Sequence, residues 1–574
     1  MRFPSLTPRP RSRETVDAFA GYHHREQIGP QEFYDLENLT AQHFPVLSAR
    51  KKRGLYAEGV HPLGLAARDS LCYVSGGDFV INGYRVPMEL SQEPKQLVSM
   101  GAYVIILPDK KYINTADHSD RGSIEAEFTA KTAVTAVPCH LDGTEYTPDY
   151  IQPEEPDAPA NMALWVDTSL RPYRLQQYSA SLSLWTAVES TYLKLRCPGI
   201  GAAFSRYDGV SVSGLEETAL EHIQGSAILY GVEEDAVILA GLLEASRTVE
   251  APLTVSRKMP AMDFVVEGGN RLWGCRYGLN NEGRVVNELY ASKLGDFKNW
   301  NCFSGISTDS YYVSLGSDGA FTGAITHAGF PLFFRENCLH KVYGQMPANF
   351  SVQTTACRGV QAGSEKSLAI VDEILYYKSR QGICAYDGAL PVEVSQALGD
   401  GVYSAAIGAG CGSRYYVSME QGGQRSLFVY DTIRGLWHKE NDPGTKLLCP
   451  CREDIFCALE DGSIITLLGT GEPWEQHLPW MLETGILGGT QPEKKYLVQL
   501  SLRLSLELGG WVDLSVQYDS RGSWEPLGHI TARELGSFTV PVKPRRCDHL
   551  RLRLEGEGGC TIYSITKTYA FARR

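Results

Sequence analysis

A loosely repeated hairpin unit is the feature that most constrains the fold of this sequence. In each unit an apolar strand rich in Tyr, Leu and Val turns at Gly, Asp or Asn, and a second strand ends in an aromatic residue or an Asp-Gly corner. The unit recurs in DSLCYVSGGDFVINGY, GAYVIILPDKKYINTA, EILYYKSRQGICAYDG and DIFCALEDGSIITLLG. After residue 262, successive units lie roughly 40 to 50 residues apart, which suits a four-stranded blade. The pattern predicts an all-β protein built on a β-propeller of six or seven blades.

The segment LFVYDTIRGLWHKE shows the unit most sharply. Leu427, Val429 and Tyr430 alternate only partly with polar residues, so both faces of their strand should be buried between stacked sheets. We expect Asp431 to open a turn that Gly435 closes. Trp437 would then pack between adjacent blades.

The length and the changes of pattern predict several domains. At 574 residues the chain exceeds what one core usually organises. Its 57 glycines, 30 tyrosines and 29 prolines supply turns and strand-forming residues throughout. The predicted parts are an extended N-terminal arm at 1–38, first blades at 39–137, an inserted small β domain at 138–253, further blades at 254–477, and a C-terminal β-sandwich at 478–574.

Three of these parts differ visibly from the propeller repeat. The first ~38 residues are polar and aperiodic, so we expect them to order only against a partner or a neighbouring subunit. The insertion opens with the linker-like stretch TPDYIQPEEPDAPANMALW. Near the C-terminus Leu550, Leu552 and Leu554 alternate strictly with Arg551 and Arg553, which predicts a sandwich strand and edges guarded by arginine.

Charge and cysteine usage indicate the cellular setting. The net charge of −13 argues against a general nucleic-acid scaffold, because phosphate binding relies on Lys and Arg. No signal peptide and no apolar run of membrane-spanning length is present, so we expect assembly in the cytoplasm without membrane insertion. Most of the 14 cysteines sit singly in apolar strands and should be buried free thiols. Cys449 and Cys451 have no second ligand pair at zinc-site spacing.

A search for catalytic motifs yields no catalytic, cofactor-binding or metal-binding residue. The phosphate-loop, dinucleotide-loop, serine-elbow and H-E-x-x-H patterns do not occur. Adjacent His23 and His24 would face opposite sides of a strand and fit a solvated arm better than a metal site. The sequence is therefore expected to be non-enzymatic and to need no cofactor.

A propeller glycosidase is the main enzymatic alternative. Sialidase-type propellers carry S-x-D-x-G-x-T-W turns, and SLGSDGAFTGA offers a single match with departing spacing at Ser317, Asp318, Gly319 and Thr322. Four further acidic residues could line a pocket or form turns, and turn preferences favour the second interpretation. These four are Asp263, Glu267, Asp296 and Asp309.

Several segments resemble a family of bacteriophage structural proteins. They are MDFVVEGGNRLWGCRYG, NELYASKLGDFKNW, STDSYYVSLGSDGAFTGA, EILYYKSRQGICAYDG and KPRRCDHLRLRLEGEGGCTIYSI. The family comprises β-propeller neck and tail proteins, described as packaged-DNA stabilisation, tail-hub or tail-nozzle proteins, and the likeness covers residues ~40 to 574. It assigns an inner blade start to Asn270, Arg271, Leu272 and Trp273, a GD-x-x-NW turn to Gly295, Asp296, Asn299 and Trp300, and the last sandwich strand to Arg545, Arg546 and Asp548.

The resemblance implies a virion protein at the neck or tail, assembled in the bacterial host cytoplasm. It would form a ring, with a hexamer as the first expectation, that contacts the portal or adaptor and other tail proteins. Packaged DNA would pass through the lumen without sequence-specific contact. The alternative is a carbohydrate-binding or glycosidase-type propeller acting at a cell surface. Sugar binding would require exposed aromatic platforms, and hydrolysis would require carboxylates converging at the propeller centre.

Overall fold

The computed structural model describes residues 11–571 except 217, 219, 251, 281–282, 489–492, 532–533 and 544. Across these residues the regular structure is almost entirely β, which confirms the predicted fold class. The helices within this part of the chain are four short 3₁₀ turns at Glu221–Ile223, Pro347–Asn349, Glu365–Ser367 and Gln396–Leu398. None of the described helices is long and apolar enough to cross a membrane.

Seven antiparallel sheets of the described chain form the propeller, and we name them blades A to G in chain order. Blades A and B precede the insertion and comprise Pro62–Ala67, Leu71–Ser75, Asp78–Ile81 and Tyr84–Pro87, then Gln96–Met100, Tyr103–Leu107, Lys111–Asn114 and Arg121–Ser123. Blades C and D comprise Phe264–Glu267, Leu272–Leu279, Val285–Ala291 and Tyr311–Ser314, then Gly323–His327, Phe330–Phe334, Cys338–Tyr343 and Ser351–Ala356. Blades E and F comprise Ala369–Val371, Ile374–Lys378, Ile383–Tyr386 and Val392–Glu393, then Ser404–Cys411, Arg414–Gln421, Gln424–Asp431 and Leu436–Asn441.

Blade G closes the ring with a strand from the start of the propeller. Its strands Thr445–Cys451, Asp454–Leu459 and Ile464–Thr466 continue into Gly54–Ala57, which also pairs with Glu472–Pro473. This pairing joins chain segments about 400 residues apart. Because Ile464–Thr466 and Gly54–Ala57 pair with each other, neither strand leaves this edge unpaired.

Apolar packing between neighbouring blades holds the ring together. The second strand of blade A, Leu71–Ser75, is buried along its whole length because both of its faces meet other sheets. Apolar clusters fill each junction from A–B around to G–A. Trp437 is buried beside Tyr430 and donates its indole N–H to the carbonyl of Val394, and Gly435 closes the Asp431 turn, as the sequence predicts.

The C-terminal part forms the two-sheet sandwich expected from its alternation. One sheet contains Leu39–Thr40, Leu47–Ala49, Cys560–Phe571, Lys495–Leu506 and Gly536–Pro541, with Arg11–Val16 and Arg546–Cys547 paired alongside. The other contains Phe33–Glu37, Pro479–Thr484, Leu550–Glu557, Trp511–Tyr518 and Glu525–Ile530. Leu550, Leu552 and Leu554 point into the core.

The arginines of this leucine strand do not guard an edge, which corrects the sequence prediction. The strand Leu550–Glu557 lies inside its sheet, between two partners. Arg551 and Arg553 both pair with Glu483, at 3.3 and 2.8 Å. Alternation identified the polar face correctly, but it carries no information on a strand's position within the sheet.

The predicted N-terminal arm differs most from the structure. Arg11–Val16 pairs with Cys560–Phe571, and Phe33–Glu37 pairs with Pro479–Thr484, so both belong to the sandwich of the same chain. Phe19 and Phe33 are buried in the shared core. The strands that pair with Arg11–Val16 and Phe33–Glu37 lie more than 400 residues away in the chain, which no local periodicity reveals. Residues 1–10, including Arg2 and Arg9, lie outside the described residues.

The insertion between blades B and C is a larger β domain than the sequence suggested. Its eight-stranded sheet runs in the order Ala126–Thr129, Thr254–Arg257, Gly209–Ser213, Gly225–Glu233, Ala236–Ala240, Tyr192–Arg196, Val134–Cys139 and Arg247–Val249. A smaller sheet contains Tyr150–Gln152, Leu164–Asp167, Arg174–Ser179 and Leu184–Ala187. The first and last strands of the inserted domain, Ala126–Thr129 and Thr254–Arg257, pair with each other. The chain therefore leaves and re-enters the propeller at one place.

All fourteen cysteines are free thiols, and twelve of them are buried. This confirms the prediction from their position in apolar strands. Burial raises the pKa of Cys72, Cys449 and Cys457 to about 12, so these thiols stay protonated at neutral pH.

Candidate ligand-binding cleft at the rim of blade C

The GD-x-x-NW turn fixes the start of a long loop between the last two strands of blade C. The Asp296 carboxylate accepts hydrogen bonds from the Lys298 backbone N–H at 2.9 Å and from the Asn299 amide at 2.5 Å. The Asn299 amide also donates to Asp208 at 3.0 Å, and its oxygen accepts from the Gly209 N–H at 2.8 Å. The turn therefore locks blade C to the inserted domain.

Asp309 organises the middle of the same loop. Its Oδ2 atom accepts hydrogen bonds from three successive backbone N–H groups, those of Ser304, Gly305 and Ile306, at 2.6, 2.6 and 3.1 Å. The carboxylate is buried, and such charge-assisted bonds are stronger than neutral ones. Asp309 consequently holds this irregular segment in one conformation.

Arg271 fixes the loop from beneath. Its buried guanidinium donates to the backbone carbonyls of Ser292, Asp309 and Ser307 at 2.7, 2.5 and 2.9 Å. Burial lowers the pKa of Arg271, while the neighbouring Asp309 acts in the opposite direction. The ring of Phe350 covers the guanidinium at 5.5 Å. Three otherwise unpaired carbonyls are thus satisfied by one side chain.

The facing wall belongs to blade D. The side-chain oxygen of Asn349 accepts from the N–H groups of Gln345 and Met346 at 3.0 Å each, which fixes that turn. Phe350 packs on Trp273 and Tyr311 with ring centroids 4.9 and 5.1 Å apart. Both walls therefore rest on one aromatic cluster, in which Trp273 is buried and Phe350 and Tyr311 are partly buried.

Between these walls lies a cleft of about 500 Å³ that exposes large apolar side chains. The exposed fractions are 48% for Phe303, 55% for Ile306, 59% for Tyr312 and 39% for Met346. The Phe303 and Tyr312 rings meet edge to face at 5.8 Å. Exposed apolar groups on a rigid loop indicate a binding surface, because leaving them in water has no benefit for folding.

The cleft is almost free of charge. Its lining contains one ionisable carboxylate, Asp309, whose Oδ2 atom is already committed to three N–H groups. Hydroxyl groups of Ser307 and Tyr312 supply polar contacts. A chain with 21% charged residues thus presents here an apolar, neutral cleft. Such a lining fits a neutral ligand with an apolar face and a few hydroxyl groups.

The four acidic candidates from the sequence each accept hydrogen bonds from groups within the fold. Asp263 pairs with Arg276 at 2.6 Å and accepts from the Tyr277 N–H at 2.8 Å. Glu267 accepts from the Asn270 N–H at 3.0 Å. Asp296 and Asp309 hold the loop described above.

The other singled-out residues also fall in structural positions. Asp318 bonds the Tyr277 hydroxyl and the Gly319 N–H, and Ser317 contacts the ring of His340 at 3.2 Å. His23 pairs with Glu32 at 2.8 Å, and His24 contacts the carbonyl of Tyr34 at 2.9 Å, which differs from a solvated arm. Arg545 pairs with exposed Glu525 at the sandwich surface.

Comparisons with known proteins give no family assignment. No family model matches the chain. No curated protein matches it. Among solved structures, an exo-β-1,3-galactanase from Phanerochaete chrysosporium with galactose is 8% identical, the match covering 53% of this chain and 94% of that one, with a TM-score of 0.21. An engineered GH43 glycoside hydrolase with endo-xylanase and exo-arabinofuranosidase activity is 9% identical over 54% and 96%, with a TM-score of 0.19.

A third solved structure matches over most of both chains. It is the extracellular domain of a hybrid two-component system from B. thetaiotaomicron, 8% identical over 93% of this chain and 98% of that one, with a TM-score of 0.22. The expectation that this chain is not an enzyme is contradicted by these neighbours, because two of the three are glycoside hydrolases. At such identities and TM-scores none of them assigns a substrate or a catalytic residue here.

Proposed function

We propose that this protein is a carbohydrate-binding β-propeller of the glycosidase type that acts at a cell surface. The observation that carries the proposal is the rigid, neutral cleft with Phe303 and Tyr312 exposed on its wall. Sugar rings present an apolar C–H face and polar edges, which complements exposed aromatic rings bordered by hydroxyl groups. Because the loop is already fixed, little conformational entropy is lost when a ligand binds.

Sugar binding and sugar hydrolysis make different demands on the site. Hydrolysis commonly uses two carboxyl groups roughly 5 to 10 Å apart. Among the described residues that line the cleft, Asp309 alone carries a carboxyl group. Its Oδ2 atom already accepts hydrogen bonds from three backbone N–H groups. The cleft thus supports the binding step, while acid–base groups for hydrolysis would come from elsewhere on the chain.

A glycan array probed with the purified protein tests the proposal, followed by incubation with each bound glycan and analysis of the products. We expect binding to neutral oligosaccharides that Phe303→Ala removes and that Tyr84→Ala, at an exposed tyrosine of blade A, leaves unchanged. Release of shorter sugars would extend the proposal to catalysis. Absence of any neutral glycan ligand, or equal loss in both variants, would contradict it.

A virion neck or tail component is the second candidate, favoured by how the chain is fastened. The N-terminal residues pair first with the sandwich and then, through Gly54–Ala57, with blade G, so sequence-distant strands tie the propeller and the sandwich together. Strand pairing between distant chain segments resists mechanical separation of the two domains, which suits a structural component of a virion. Electron microscopy of the purified protein tests this candidate: rings, together with portal and capsid genes beside its gene, support it, and a monomer without such neighbours contradicts it.

A further inference from the structure

A second cleft, on the opposite side of the ring, has different chemistry. It lies where blades F and G meet the linker from the sandwich, and its volume is about 640 Å³. Five cationic side chains and three carboxylates line it. The cations are Arg50, Lys51, Arg414, Arg434 and Arg452, and the carboxylates are Asp431, Glu440 and Glu453.

Two of the five cations are compensated by carboxylates of the protein. Arg434 pairs with Asp431 at 3.0 Å within one turn. Arg50 forms a two-pronged contact with Glu475, each prong 2.7 Å long, and lies 3.5 Å from Glu440. These pairs are charge-balanced by the fold, so they leave little attraction for an outside ion.

The other three cations have no such compensation. Among the described residues no carboxylate lies within 4.0 Å of the charged groups of Lys51, Arg414 or Arg452. They come from three separate segments: the linker, the start of the second strand of blade F, and a turn of blade G. Glu453 is the remaining carboxylate of the cleft and is exposed. A local excess of positive charge in a chain of net charge −13 marks this cleft.

His438 also lines the cleft, close to Arg414, but it does not add to the positive charge. Its Nε2 atom accepts the N–H of Ala41 at 2.9 Å, and burial, together with Arg414, lowers its pKa to about 4. At neutral pH the imidazole is therefore uncharged. The positive charge of the cleft thus comes from its lysine and arginine side chains.

Other arginines that lack ion pairs are buried inside the fold. Arg271 donates to three backbone carbonyls, as described above. Arg335 lies against the rings of Phe321 and Tyr277, at 4.6 and 5.5 Å from their centroids, and donates to Asn287. The three cations of the second cleft differ because they line open space that a ligand can enter. Arg452 donates one N–H, from Nε, to the carbonyl of Asp69 at 3.0 Å.

We propose that this cleft binds a phosphoryl group, either as inorganic phosphate or as part of a small phosphorylated ligand. A tetrahedral dianion can be contacted from several sides at once, which matches cations from three segments, whereas a single arginine fork suffices for a planar carboxylate. Arg50, held by Glu475, provides a fixed wall. The inference is independent of the sugar-binding proposal.

Titration calorimetry with inorganic phosphate at constant ionic strength tests this proposal. We expect saturable binding to the unmodified protein that weakens at least about tenfold in Arg414→Gln and at least about threefold in Lys51→Gln. Arg85→Gln is the matched control, since it removes one positive charge from an exposed site in blade A. Lys51 is exposed, so its variant remains informative even if Arg414→Gln does not fold.

A competition arm identifies the source of the phosphoryl group. A sugar phosphate that displaces inorganic phosphate and binds more tightly indicates a phosphorylated ligand, while weaker binding of the sugar phosphate indicates free phosphate. No heat of binding up to about 10 mM phosphate would overturn the proposal. Equal weakening in Arg414→Gln and Arg85→Gln would also overturn it, because it would show a general charge effect.

Discussion

The two clefts occupy the same kind of position, a junction between neighbouring blades, yet they differ in almost every chemical respect. The cleft between blades C and D exposes Phe303 and Tyr312 and has its one carboxylate locked in a turn. The cleft between blades F and G exposes Lys51 and Arg452 over a network of ion pairs. The inner strands therefore set where a cleft forms, while the connecting loops set what it can bind.

The supporting contacts differ as well. Carbonyl groups accept from Arg271 beneath the aromatic cleft, whereas carboxylates hold Arg50 beneath the cationic one. Breaking a buried ion pair leaves a charge without a partner, and breaking contacts to carbonyls leaves neutral acceptors. The two foundations should therefore respond differently to mutation.

Arg50→Met should have the largest effect. It leaves the Glu475 carboxylate without its two-pronged partner, and we expect a loss of about 3–5 kcal/mol in the free energy of unfolding. Denaturant titration measures the change. Lys51→Gln, one residue away and exposed, is the control and should change stability by less than about 0.5 kcal/mol. A small loss in Arg50→Met would show that the ion pair is not the foundation of this cleft.

Arg271→Met should cost somewhat less, about 3 kcal/mol, because three carbonyls lose a charged donor. The loop above it should loosen locally. Hydrogen exchange of the Gly305 and Ile306 amides should accelerate more than exchange in blade F. Exchange of these amides at the unmodified rate would show that Asp309 fixes the loop without support from Arg271.

Acid should destabilise both sides of the ring through buried histidines. Burial lowers the pKa of His438 and His340 to about 4, against about 6.5 in an unfolded chain. The unfolded state therefore takes up protons first as the pH falls. Each histidine should reduce stability by up to about 1.4 kcal/mol per pH unit between pH 6.5 and 4, and by nothing above that range. His438→Gln should flatten the measured pH dependence, and an unchanged slope would contradict this assignment.

The smallest effects on stability are expected at the exposed walls themselves. Phe303→Ala and Arg452→Gln should each change the free energy of unfolding by less than about 0.5 kcal/mol, since neither side chain is buried. Thermal unfolding without ligand measures both. A larger loss in either variant would mean that the wall supports the fold, and its use as a binding surface would then be in doubt.

The sequence predicts the parts of the fold that local pattern determines. Buried strands such as Leu71–Ser75 and the alternating Leu550–Glu557 follow from residue type and period. It does not predict partners that are far apart in the chain. Arg11–Val16 has no periodicity of its own and acquires structure only from Cys560–Phe571.

For the aromatic cleft, the sequence predicts the turn residues that hold the loop but not the exposed apolar side chains. The GD-x-x-NW turn and Asp309 were recognisable as turn formers, and they do hold the loop. The sequence analysis does not predict Phe303 and Ile306, although two apolar residues within the turn-rich run CFSGISTD are a signal for an exposed apolar loop. Their exposure depends on the packing of blade D against blade C, which local sequence does not specify.

The assignment of a different ligand to each cleft is tested by titrating one neutral oligosaccharide and inorganic phosphate into the unmodified protein, Phe303→Ala and Arg414→Gln. We predict that Phe303→Ala weakens oligosaccharide binding at least about tenfold and leaves phosphate binding intact, and that Arg414→Gln does the reverse. Oligosaccharide binding that survives in Phe303→Ala would contradict the assignment of the aromatic cleft as the sugar site.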